Sequence, residues 1–253
     1  MGGRCLPRRC SGCQRQAAAA SYTRAAGQGR ARSPRKKHTV PEADLFHTMH
    51  TMRAMRRLKP DPVPDDLIRE ILRAGTAAPN SSNRQEWGFL VVTDPEVKRQ
   101  IQVYYQRAFD EIVKPNYMNS PAPAGMTAKQ YARQLELVEH LTLHFHEAPV
   151  WIVACRKDGD RPSRTAGAAI YPAVQNMLLA ARALGLGATL TTRHTNYQAE
   201  SDAIFGLPAG VHSFAILPIG YPVGRFGPTR RGPLSEVVHG NRWGEAAPFA
   251  LDD

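Results

Sequence analysis

Cysteine is scarce in this chain and placed where it cannot staple a fold. Four occur in 253 residues, and Cys5, Cys10 and Cys13 fall within the first 13 positions. A disulfide framework needs cysteines spread through a small chain, so none is expected. The C-x4-C-x2-C spacing lacks a fourth ligand, and a zinc site is not expected there. Cys155 lies in an apolar run and reads as a small buried hydrophobe. No run of about 18 apolar residues exists, so no membrane partner is expected. There is no G-x-S-x-G elbow, Walker loop or G-x-G-x-x-G fingerprint, leaving hydrolase, NTPase and Rossmann readings without support. His140, His144, His146 and Glu147 cluster near one helix end, but the H-E-x-x-H order is missing and no metal is expected.

Acid is the other local absence. Residues 1–40 contain ten of the 33 Lys and Arg and none of the 22 Asp and Glu, so the net charge of +11 falls to about +1 over 41–253. The basic character belongs to the tail. That segment has too little large apolar surface to offset the entropy of ordering it and reads as a disordered basic tail. It lacks the apolar core of a secretory signal. A transit peptide or nonspecific nucleic-acid contact would suit its composition, but the expectation is a dispensable extension of a cytoplasmic protein, with nucleic acid not a partner of the globular part.

From residue 44 onward the chain reads as one domain, 44–253. Leu45–Met55 is a short helix. Pro64-Asp65-Asp66 opens a second, Asp65–Ala78, with Leu67, Ile68, Ile71 and Leu72 on one face. Gly88–Val92 is a strand, a helix follows from Pro95 to about Val113, and 114–126 is a Pro-rich loop. Thr127–Glu147 is helical and Pro149–Cys155 a strand. Arg164–Leu184 is a long helix, apolar nearly all round, buried by a core or a second subunit. Ala188–Thr192 and Val211–Ile219 are extended, and a Gly/Pro-rich segment closes the chain. Alternating strands and helices indicate α/β or α+β.

Three stretches carry the chemistry: Met52–Pro64 (MRAMRRLKPDPVP), Ala77–Val92 (AAPNSSNRQEWGFLVV) and Ile216–Trp243 (ILPIGYPVGRFGPTRRGPLSEVVHGNRW). The second holds six consecutive hydrogen-bonding side chains, Asn80 to Gln85, between a helix and an apolar strand, which is more than a turn requires. In order and spacing the three resemble the nitroreductase family of FMN oxidoreductases, over roughly Asp44 to Trp243. The resemblance implies an α+β fold, a mixed β-sheet flanked by helices, built as an intertwined homodimer with FMN at the subunit interface. It implies hydride transfer from NAD(P)H through the flavin to a small-molecule electron acceptor such as a nitroaromatic or a quinone. A deazaflavin-linked, oxidase or dehalogenase activity would share the fold. The flavin carries the chemistry, so no catalytic nucleophile is expected.

Residue by residue, the resemblance assigns Arg53 to the FMN phosphate and Arg56 to the ribityl chain or the N1/O2 edge, with Arg57 a possible substitute contact. Ala54 stands where a serine is usual and Met52 where another Arg is common. Ser81, Ser82, Asn83 and Gln85 match flavin-lining positions. Thr191, Thr192 and Arg193, in GLGATLTTR, match backbone beside the flavin, and Arg230 and Arg231 match a phosphate clamp. His144 stands near where some members carry a flavin-contacting Lys.

Overall fold

The computed structural model describes residues 44–157 and 165–251. The expectations for the tail and its three cysteines lie outside these residues. Helix α1 (Leu45–Thr51) begins at Asp44, whose carboxylate accepts the His47 N–H at 2.6 Å. It ends four residues earlier than the sequence predicts, because Met52 is extended and the Met55 N–H goes to the Ala188 carbonyl at 3.0 Å. Helix α2 (Asp65–Thr76) buries Leu67, Ile68 and Ile71. Strand β1 (Trp87–Val92) follows, then α3 (Pro95–Ala108), capped by Asp94.

A π-type turn, Phe109–Val113, carries α3 into α4 (Lys114–Asn119). The Pro-rich loop expected over 114–126 is therefore helical in its first six residues. Pro115 is accommodated because it occupies the first turn of α4, where an amide N–H is dispensable. Helix α5 (Ala128–Leu143) opens with a capping box, Thr127 and Gln130 exchanging side-chain and backbone bonds. The remaining elements are β2 (Val150–Lys157), α6 (Ala166–Ala183), the two-residue β3 (Gly187–Ala188), α7 (Gln198–Ile204) and β4 (Val211–Gly220).

The four strands form one sheet in the order β1-β2-β4-β3. Every pairing among the described residues is antiparallel, which corrects the expected mixed sheet. Parallel neighbours arise from a single crossover helix. Here two long helices, α3 and α5, lie between β1 and β2.

Strand β2 is the centre of the molecule, and its period-two alternation divides the interior. Val150, Ile152 and Ala154 face one side, joining Ile71, Ile170, Val174, Met177, Ala215 and Leu217 beneath α2 and α6. Trp151, Val153 and Cys155 face the other, with Ile101, Tyr105, Leu141 and Phe145 from the α3–α5 layer. The expected burial of the apolar α6 helix is met within this chain by α2 and the sheet. At about 1.5–3 kcal/mol per fully buried large apolar side chain, these two faces supply most of the driving force for the fold. The register slips by one residue between Ala154 and Cys155, leaving Phe214 of β4 unpaired between Ser213 and Ala215.

Candidate functional site

The first and third motifs are brought together by an extended arm. Beyond α1, residues 52–59 run between β3 on one side and the segment following β4 on the other. The Met55 N–H bonds to Ala188, the Lys59 N–H to the Tyr221 carbonyl at 2.8 Å, and the Val223 N–H to the Arg57 carbonyl at 3.0 Å. Further along, the Thr229 N–H reaches the His50 carbonyl at 2.8 Å. Gly187 makes the close approach possible: a Cβ there would lie 2.9 Å from both Leu58 Cδ2 and Met55 Cβ. Extended geometry sends successive side chains to opposite faces, so Met55 is buried while Arg56 emerges, half-buried, on the other side.

Arg56 shares its surroundings with Arg193, which follows the β3 segment. Arg193 lies over the Tyr105 ring at 4.6 Å and the Phe109 ring at 5.4 Å, and its Nη1 donates to Thr142 Oγ1 at 2.5 Å. Tyr105 in turn shares a hydrogen bond with Thr191 Oγ1 at 3.0 Å, and Thr191 is locked to Ile216 through both backbone bonds. The floor of the site is thus tied to the sheet. Burial pulls the guanidinium pKa of Arg56 below its ordinary value; Tyr117 and then Tyr105 oppose that, and Arg53 adds to it. Burial does the same to Arg193, against Tyr105 and reinforced by Arg56. Among the described residues no carboxylate pairs with Arg53, Arg56 or Arg193. Two desolvated guanidinium groups without a counter-charge, above an aromatic floor, form a place suited to a flat, anionic guest.

The other sequence-derived positions distribute differently. Arg53 is exposed, with Nη1 3.7 Å from where a Cβ on Gly227 would stand. Arg57 is exposed and lines a cavity with Arg56, His140 and His144. Thr192 is exposed and uses its carbonyl to close a turn with Thr195. Arg230 and Arg231 begin just after the Thr229–His50 bond, so their backbone is held near the start of the arm, while their side chains line a cavity of about 500 Å³ with Met126, Gln130 and Glu236.

Ser81, Ser82, Asn83 and Gln85 are exposed, and no hydrogen bond, ion pair or ring contact among the described residues joins them to the Arg56–Arg193 group. Their loop is tightly wound. Ser82, Asn83 and Gln85 all have left-handed φ, at 53°, 52° and 50°, held in part by the Asn80 side chain accepting the Gln85 N–H at 2.9 Å. Three such residues within four positions cost free energy in the isolated chain and are characteristic of ligand-contact segments.

Tyr105, Phe109, Tyr117 and Thr142 complete the site and carry no distinguishing local signal. Tyr105 and Phe109 fall at core spacing on α3 and its extension, and Thr142 is a short polar residue between Leu141 and Leu143. Among the described residues no helix is long and apolar enough to cross a membrane.

Comparison with known proteins gives the family and the fold. The family described as the Nitroreductase family matches residues 50–221. A Thermus thermophilus protein named NADH dehydrogenase is 29% identical over 212 residues, which cover 79% of this chain and 97% of that one. Iodotyrosine deiodinase 1 of Rattus norvegicus is 24% identical over 197 residues, covering 76% of this chain and 66% of its own length. In fold, the chain is similar to oxidized iodotyrosine deiodinase solved with FMN and 3-iodo-L-tyrosine, at a TM-score of 0.61 and 24% identity, covering 79% of this chain and all of that one. A NADH dehydrogenase/NAD(P)H nitroreductase structure from Parabacteroides distasonis gives 0.59 and 24%, covering 80% of this chain and 100% of that one.

Proposed function

The chain belongs to the nitroreductase family, and on that premise we propose that it is an FMN-dependent oxidoreductase that passes reducing equivalents from NAD(P)H to a small-molecule acceptor of the nitroaromatic or quinone type. The carrying observation is the pair of half-buried, carboxylate-free guanidinium groups, Arg56 and Arg193, over Tyr105. Bound FMN would supply the electron-transfer chemistry that no side chain here provides. The chain's own work is to bind and orient. Arg56 and Arg193 would place fixed positive charge beside the bound flavin, and the Thr142 and Tyr105 contacts hold Arg193 in place. Arg53, with Arg230 and Arg231 from the adjoining backbone, would hold the FMN phosphate.

A second copy of the chain completes the site in this reading. The 81–85 loop is exposed and strained, and α1 presents Leu45, Phe46 and Met49 at 56%, 69% and 43% exposure. Both features call for a cover. In the homodimer, the loop of one protomer faces the Arg56–Arg193 group of its partner. We expect Asn83→Ala and Arg193→Ala proteins each to bind flavin poorly. Mixing them under subunit exchange should restore about one intact site in each mixed dimer. A monomer by light scattering, or no recovery on mixing, would sink the dimeric site.

The direct test is an absorption spectrum of the purified full chain with added FMN, before and after anaerobic NADH or NADPH. Retained flavin bands that bleach with a nucleotide support the proposal. Colourless protein that cannot hold FMN overturns it, and bound flavin untouched by both donors overturns the donor. Replacing Arg53 or Arg193 by alanine should weaken FMN binding by about 1.5–3 kcal/mol each, the range for a hydrogen bond to a charged group. Titration calorimetry would register this as a roughly ten- to hundredfold rise in Kd. An unchanged Kd in both variants would mean the phosphate and ring contacts lie elsewhere.

A further inference from the structure

We propose, resting on the oxidoreductase reading above, that the cavity between the arm and the C-terminal end of α5 takes the adenosine 2′-phosphate of NADPH and so selects that donor over NADH. The cavity measures about 460 Å³ and is lined by Arg56, Arg57, His140, His144 and Glu147, with Leu58, Leu141, Ala148 and Val223 forming its apolar wall. Arg56 belongs both to this cavity and to the group containing Arg193 and Tyr105. The cavity therefore adjoins the proposed redox site.

The donor chemistry fits a phosphate monoester. Arg57 is anchored by its backbone, which accepts the Val223 N–H, and no carboxylate among the described residues pairs with its side chain. A guanidinium fork matches phosphate oxygens in pairs. The His140 and His144 rings stand 4.3 Å apart, and the one acid in the cavity, Glu147, is engaged by His144 Nδ1 at 2.9 Å. Its charge is directed at that imidazole, leaving Arg56 and Arg57 in excess. Burial, His144 and Arg57 hold the His140 pKa below its ordinary value, with Glu147 opposing. A dianion seated among these groups would reverse that balance, and a phosphate monoester is close to a dianion at neutral pH. The ribose 2′-hydroxyl of NADH offers no such charge.

The experiment uses the full chain loaded with FMN and measures kcat/KM for NADPH and NADH with one acceptor, per bound flavin. The native protein should favour NADPH by at least about tenfold, the scale of one charge-assisted hydrogen bond. Arg57→Gln should bring the ratio towards one, chiefly through the KM for NADPH, and His144→Gln should lower it by a smaller factor. Adenosine 2′-monophosphate should compete with NADPH in the native protein and lose that effect in Arg57→Gln, while the 5′-monophosphate competes weakly in both. A native protein that prefers NADH or uses both equally overturns this inference and leaves the oxidoreductase reading intact. Release of FMN from Arg57→Gln with an unchanged donor ratio also overturns it, returning the cavity to the flavin's own phosphate. Failure of both donors to reduce bound flavin overturns the two readings together.

Discussion

Trp151→Ala should destabilise the protein by about 4–5 kcal/mol, the upper range for removing a large aromatic from a packed core. The indole is fully buried on the central strand and stacked 4.3 Å from Phe145, which stacks 3.9 Å from Tyr105. Its Nε1 donates to the Phe145 carbonyl at 3.1 Å, so truncation leaves a buried acceptor unpaired as well as a cavity. Native domains have only about 5–15 kcal/mol to lose. Urea denaturation should show a lower midpoint with an unchanged slope. The effect reaches the site because Tyr105, third ring of the stack, bears Arg193 above it. Flavin affinity should fall in the surviving folded fraction, although Trp151 lines no part of the pocket. Trp151→Phe keeps the stack and loses the N–H, and should cost well under half as much. Equal losses in the two variants would show that the hydrogen bond, not the ring volume, dominates.

Acid should weaken the fold through His194. Its side chain is fully inaccessible, Nε2 pairs with Ser213 Oγ at 3.1 Å, and Nδ1 has no partner. Burial drives its pKa down from 6.5 to about 4; the nearby Asp202 carboxylate and the bond from Ser213 oppose this and do not prevail. The folded state therefore binds the proton less readily than the unfolded chain. The stability tied to neutral His194 is present in full above about pH 6.5. It drains as the pH falls towards about 4 and is gone below that. A displacement of this size corresponds to roughly 3 kcal/mol. His212 Nδ1 and Asp202 Oδ2, 3.0 Å apart, belong to the same network. Comparing the pH dependence of the unfolding free energy in native protein and His194→Gln isolates the imidazole. The variant should start less stable and lose distinctly less on acidification. Parallel curves would clear His194 of the effect.

Much of the architecture was legible because it is local. The α2 face repeats at helical spacing, and β1, β2 and β4 are apolar runs bounded by polar or charged residues, so their positions follow from pattern alone. Strand direction was not legible: antiparallel pairing depends on the path of the long connection through α3 and α5, and no residue records it. The end of α1 was missed for a similar reason. Residues 52–55 can sustain a helix, but the Ala188 carbonyl, more than a hundred positions away, takes the amide. In the site, Arg56 and Arg193 were reachable only through the resemblance, since other basic or polar residues stand beside them in sequence. Tyr105 was not, since its spacing from Ile101 and Phe109 is that of a core residue and its partner Thr191 lies 86 positions on. Arg57 shows the limit of motif reading: it lines a cavity with Arg56, His140 and His144, yet no contact among the described residues joins it to Arg193 and Tyr105 as one joins Arg56.

The bonds between the arm and the segment after β4 also set a timetable. His50 with Thr229, Arg57 with Val223 and Lys59 with Tyr221 join positions more than 160 residues apart. Contacts of such separation close late, after the entropy of the intervening chain has been offset. During synthesis the arm emerges early and waits, exposed, until nearly the whole polypeptide has left the ribosome. A cofactor held by that arm cannot template the growing chain and has to arrive after translation ends. Termination just before Tyr221 would leave all four strands but none of these clasps, so flavin content in a cell would report completed chains only.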